Sequence, residues 1–168
     1  MASSIEIYED NGAPTGNPRK GSTRNRITSV WYQNVDSHQR DNAARITVGN
    51  NSFTKYISYK FTGSFNEISN VKITRGSGAM PSGTSLKLKT SGAYEQPTAS
   101  TMAGGTDFTS SGQTSVNLSV QSPESNSKTN TLSTTGYTEF IVSQVQTTTS
   151  ASQGITENVV LRLTWDES

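Results

Sequence analysis

The chain contains no cysteine, one histidine and no apolar run long enough to cross a membrane. Without cysteine there are no disulfides and no thiolate chemistry, and nothing points to an oxidising compartment. Charge of either sign is scarce: 16% of residues are charged and the formal balance is +1. A broad nucleic-acid binder carries a clear basic excess, so nucleic acid is not an expected partner. Hydrophobic residues make up only 30%. The opening "MASSIEIYED" lacks a basic region followed by an apolar run, so no secretory signal is expected there. The glycosylation-type triplets at 50–52 and 117–119 are then read as chance matches.

What fills the chain instead is hydroxyl and amide. There are 26 serines and 24 threonines among 168 residues. Helical surfaces favour Ala, Leu, Glu and Lys, whereas Thr and Ser suit strands and turns. Composition therefore predicts an all-β domain, and the length is ordinary for one domain with a real core.

Periodicity agrees. Short strands are predicted at 5–8, 27–36, 44–49, 53–61, 65–73, 86–89, 115–120, 137–146 and 158–165. In "LKLK" Leu86 and Leu88 point inward; in "NVVLRLTW" Val159, Leu161, Leu163 and Trp165 share a face. "KYISYKFTGSFNEISNVKI", 55–73, reads as an antiparallel hairpin turning at Gly63, with a bulge near Glu67 or Ser69. Lys55 is the exception on a face made by Phe53, Ile57, Tyr59 and Phe61. Residues 75–85 and 121–136 read as loops, and 90–113 as a Gly/Ser/Thr-rich stretch anchored by Tyr94, Met102 and Phe108. One helical turn is expected around Gln39–Ala43. Many short strands with turn signals between them predict a single antiparallel β-sandwich, with a jelly roll as one form of it. Residues 9–26 have two prolines, three glycines and no apolar period, so 1–26 is read as a short strand plus an extended N-terminal basic arm, and 27–168 as the sandwich domain.

Reactive constellations are sparse. A nucleophilic triad needs an activated nucleophile, a base and an orienter; His38 lies in a polar turn with no matching serine elbow, and no enzyme is expected. Glu9, Asp10, Asp36 and Asp41 are loop-type acids that suit calcium only weakly and turn-capping better. No cofactor is expected. Trp31, Tyr32, Tyr56, Tyr59 and Tyr94 suggest a sugar-stacking platform as an alternative, although the parity of Trp31 and Tyr59 favours core packing. Arg19, Lys20, Arg24 and Arg26 fall within eight residues and are the candidate partner-binding cations.

Three blocks also resemble a family. "VWYQNVD" at 30–36, "SFTKYISYKFTGSFNEISNVKI" at 52–73 and the C-terminal "YTEFIVSQVQTTTSASQGITENVVLRLTWDES" at 137–168 are similar, in that order, to accessory structural proteins of tailed bacteriophages. The resemblance covers about half the chain and leaves 75–136 unmatched. It implies a virion protein on the capsid surface: a cement or decoration protein that binds the major capsid protein lattice and assembles as a homo-oligomer. A tail, neck or baseplate protein is the alternative role. On this reading the basic arm pairs with acids of the shell.

Overall fold

The computed structural model describes residues 3–110, 114–121, 127–152 and 159–168. The parts of the expected loop at 121–136 and strand at 158–165 that fall on 122–126 and 158 lie outside the described residues. Among those described there is no helix, and the chain forms two antiparallel sheets packed against each other, an all-β sandwich-like fold.

The larger sheet has eight strands: β1 (Ser3–Pro14), β2 (Gly21–Ile27), β3 (Lys55–Gly63), β5 (Thr84–Ser91), β6 (Thr106–Asp107), β8 (Val120–Gln121), β9 (Gly136–Thr138) and β10 (Phe140–Thr147). Its main order is β2-β1-β3-β10-β5-β6, with β9 continuing the line of β10 beside β3 and β8 beyond it. The smaller sheet is β11-β4-β7, made of Leu161–Glu167, Ile68–Arg75 and Ser115–Asn117. Eight strands against three is not the even division of a jelly roll.

Between the sheets lies an apolar core that includes Ile57, Phe61, Ile68, Ile73, Leu86 and Leu88. The back of the larger sheet carries a second, aromatic cluster of Tyr56, Tyr94, Met102, Phe140 and Val142. That second cluster explains why β10 reads as a continuous apolar run rather than an alternating one: both of its faces are covered. The three anchors expected in 90–113 are all buried, in one cluster or the other.

Several expectations need correction. The arm is not an extended appendage. Residues 3–14 and 21–27 form a β-hairpin whose first strand pairs with β3 from Ser3↔Gly63 to Asp10↔Tyr56, so the described part of the 1–26 segment, from Ser3 on, belongs to the sandwich. Its polar strands hid it, because they bury charge rather than hydrocarbon. Segment 28–36 is irregular, as is 44–49; Asn34 N–H donates to Ala44 O (2.8 Å) and Phe53 N–H to Gln33 O (3.0 Å), which folds 28–53 over one end of the sheet. The expected helical turn is a single turn at 41–44, closed by Ala44 N–H on Asp41 O.

Residues 55–73 are not a hairpin either. Gly63 does take a positive φ, 105°, but the chain there passes from one sheet to the other: β3 pairs with β1, β9 and β10, and β4 with β7 and β11. The bulge is present: the register steps from Lys72↔Thr164 to Ser69↔Asp166, leaving Asn70 at φ 51°, one residue past Ser69. Asn tolerates this left-handed conformation better than other non-glycine residues.

Candidate interaction surface on the back of the larger sheet

Strand β1 carries carboxylates on both faces, and each finds a cation. Glu9 points inward beside Ile57. Its Oε1 accepts from Lys55 Nζ at 2.9 Å, and both side chains are 0% exposed. Lys55 Nζ also donates to Ser37 O (2.6 Å), and Asn11 Nδ2 donates to both Glu9 Oε1 (2.9 Å) and Asp36 Oδ1 (2.7 Å). Lys55, the misfit in its strand, is thus the core partner of a residue first read as loop. Asp10 points the other way, to the back of the sheet. It accepts from Arg24 Nε at 3.0 Å and from Gly21 N at 3.1 Å. Burial pushes its carboxyl above the usual range, opposed by the guanidinium.

The four cations of the expected basic arm therefore part company. Arg19 is 3% exposed. It stacks on the Phe140 ring at 4.5 Å and donates to Gly92 O and Thr138 O. Desolvation lowers its pKa to about 10. It fastens the hairpin tip onto the sheet and is out of reach of a partner. Gly21 is needed beside it: a Cβ there would meet Asn11 O at 2.6 Å and the Tyr94 ring at 2.8 Å. Arg24 is largely covered, Asp10 on one side and Arg19 O accepting from it on the other. Lys20 is exposed, and the Arg26 side chain is 67% exposed, 3.2 Å from Glu6.

Strand pairing gathers a surface that the sequence did not announce. Lys60 of β3 sits opposite both Glu6 of β1 and Tyr137 of β9. Tyr8 sits opposite Ser58, whose small side chain lets the Tyr8 and Tyr137 rings meet edge to face with centroids 6.1 Å apart. Arg24 lies 5.2 Å and Lys60 5.8 Å from the Tyr137 centroid, and Tyr8 Oη donates to Glu6 Oε2 at 2.8 Å. That bond and partial burial raise the Tyr8 pKa, keeping the phenol neutral. The result is two half-buried tyrosines framed by Arg24, Arg26 and Lys60. Aromatics and Arg are the side chains enriched where proteins dock. The available signal was parity: Tyr8, Lys60 and Tyr137 each interrupt or oppose an inward-facing series.

The other candidates disperse. Tyr56 and Tyr94 are buried against one another at 5.0 Å, Tyr32 Oη donates to Ser143 Oγ, and Tyr59 packs on the core with its pKa pushed up to about 12 by burial. Trp31 alone of the five is exposed, at 37%, under Arg40. The five rings form no common platform. Asp36 holds Gly12 N–H and Asp41 holds Ala43 N–H. His38 is half-buried in the irregular segment. Among the described residues no three His, Cys, Asp or Glu side chains gather as metal ligands. Among the described residues are a hollow of about 200 Å³ beside Tyr56 and Glu95 and another of about 330 Å³ beside Asn70 and Asn117. Compared with known proteins, the chain matches no family model, no curated protein and no solved structure.

Proposed function

We propose that this chain is an adhesive structural protein of a tailed-phage particle, a capsid cement or decoration protein that docks on an acidic area of the major capsid protein. One observation carries the docking mode: the Tyr8–Tyr137 pair with Lys60 and Arg26 is held on four adjacent strands of a rigid sheet. Pre-ordered aromatic and cationic side chains lose little entropy on binding. Many modest contacts on a repeating shell add through avidity. The three phage-like sequence blocks supply the identity of the partner. The Tyr rings meet at 63° rather than lying in one plane, which suits a protein surface better than the flat face of a sugar.

The test is purification of particles from the phage that encodes the chain. A fixed copy number per capsomer, lost in a Lys60→Glu/Tyr137→Ala variant that still folds, supports the reading. Recovery with isolated tails reassigns it to a tail, neck or baseplate role. Absence from all particle fractions eliminates it.

A further inference from the structure

Three side chains meet where β1 and β3 run side by side beneath the irregular segment 28–53. The printed register of the two strands runs to Asp10↔Tyr56, and one step further sets Asn11 level with Lys55. Residues opposite one another on antiparallel strands have Cβ atoms about 5 Å apart. Glu9 joins the two. Its Oε1 accepts from Lys55 Nζ and from Asn11 Nδ2, each at 2.9 Å. The amine and the carboxamide thus share one oxygen, and their nitrogens are no further apart than twice that distance. All three side chains are buried. The overlying segment closes the cluster: Ser37 O accepts from Lys55 Nζ, and Asp36 Oδ1 from Asn11 Nδ2.

The hydrogen bonding of this cluster is incomplete. Glu9 Oε2 and Asn11 Oδ1 are both buried without a hydrogen-bond partner. A buried acceptor without a donor is uncommon and calls for a reason, of which a chemical role is one. Moving one proton from Lys55 Nζ to Glu9 along their hydrogen bond turns two enclosed charges into two neutral groups. An enclosed setting favours neutral groups over charged ones. The carboxyl then has an O–H to donate, and the amine has a lone pair. An uncharged lysine is a nucleophile, and the Asn11 carboxamide beside it is an electrophile. Holding the two together makes a bimolecular step unimolecular.

We propose that Lys55 and Asn11 join covalently once the fold has formed, giving an amide between Lys55 Nζ and Asn11 Cγ with loss of ammonia. Glu9 first takes a proton from Lys55. The Nζ lone pair attacks Cγ, and the C=O electrons move onto Oδ1. As the carbonyl re-forms, the Cγ–Nδ2 bond breaks with its electron pair on nitrogen, and Glu9 supplies the proton that lets ammonia leave. Of the three protons on the lysine ammonium, one stays on the new amide, one leaves on ammonia and one is kept by Glu9. The step consumes no oxidant and no co-reactant. In a chain without cysteine the bond braces β1 to β3 and closes the loop from 11 to 55, as a disulfide closes one. It forms within one molecule and asks nothing of a partner.

The test is the mass of the folded, purified chain, read after denaturation. A deficit of one ammonia against the mass of the sequence is expected in most molecules, with a branched peptide in the digest that joins Asn11 to Lys55. The full sequence mass in a chain whose circular dichroism shows strands overturns the inference. Asn11 precedes Gly12, so attack of the Gly12 nitrogen on the same Cγ is the rival; it also expels ammonia and leaves a succinimide. Lys55→Arg separates the two, because it keeps the charge and removes the nucleophile. The deficit is expected to vanish; a deficit that persists, or one that maps to residues 11–12 without a branch, overturns the inference. Glu9→Gln keeps the size and removes the proton acceptor. Loss of the branched peptide is expected there, and undiminished cross-linking overturns the role of Glu9. Should either variant fail to fold, the presence or absence of the branched peptide in the unaltered chain decides the bond by itself.

Discussion

Two ion pairs on strand β1, three residues apart, sit in opposite surroundings. Glu9 and Lys55 are wholly enclosed; Glu6 and Arg26 lie at the surface, the arginine side chain 67% exposed. Geometrically they are alike, at 2.9 and 3.2 Å. Energetically they are not. An enclosed pair pays desolvation for both charges and depends on each partner remaining in place. A surface pair exchanges water for a partner at little net gain. Distance between charges therefore says little about what a pair does for the fold; the water it has lost says more.

The sharpest way to break the enclosed pair is to remove one half of it. Lys55→Ala leaves Glu9 buried with its cation gone, and destabilisation by about 3–5 kcal/mol is expected in urea unfolding. Replacing both partners by apolar residues of similar size, Glu9→Leu/Lys55→Met, is expected to recover most of that loss. If the double variant is as unstable as the single one, the pair itself stabilises the fold. Arg24→Ala is intermediate, at about 1–3 kcal/mol, because Gly21 N–H still holds Asp10. Arg26→Ala is expected to cost less than about 1 kcal/mol.

Acid titration sharpens the same contrast with the sign reversed between two carboxylates. Asp107 is held down to about 2 by hydrogen bonds from Lys87 and Thr109. Its contribution is present above the ordinary 3.8 and is lost as the pH falls toward 2. Asp10 is raised by burial, so its ionised form costs stability above 3.8 and the cost is relieved as the pH falls through its folded value. Asp107→Asn is expected to flatten the loss of stability between pH 4 and 2, as measured by thermal unfolding, and Asp10→Asn to steepen the loss at the higher pH, as the pH falls toward 3.8. The Asp107 effect is the smallest of these, since its side chain is 54% exposed and screened by solvent.

Strands with one wet face were plain in the sequence. Leu86 and Leu88 in β5, and Leu161, Leu163 and Trp165 in β11, alternate with polar residues and lie where that alternation sets them. The N-terminal hairpin was illegible because its inner positions include Glu9 and Asn11, whose burial depends on Lys55 and Asp36 far along the chain. The step from β3 to β4 misled for a different reason. Local sequence encodes a turn at Gly63 but not which sheet receives the next strand. The candidate surface shares that limit: Tyr8, Lys60 and Tyr137 become neighbours only through pairing across 129 positions of chain, from 8 to 137. Of the four cations singled out, Arg24 and Arg26 border that surface, and Arg19 lies beneath it.

The central strand of each sheet has a consequence for the order of events during synthesis. β3 needs β1 on one side and β10 on the other; β4 needs β7 and β11. One neighbour of each is made early or midway, and the other emerges only in the last thirty or so residues. Apart from the β1–β2 ribbon, the growing chain has few partners close at hand, and loops must close before distant pairing rewards them. Neither sheet is complete until β10 and β11 have emerged, and until then each middle strand keeps one flank bare.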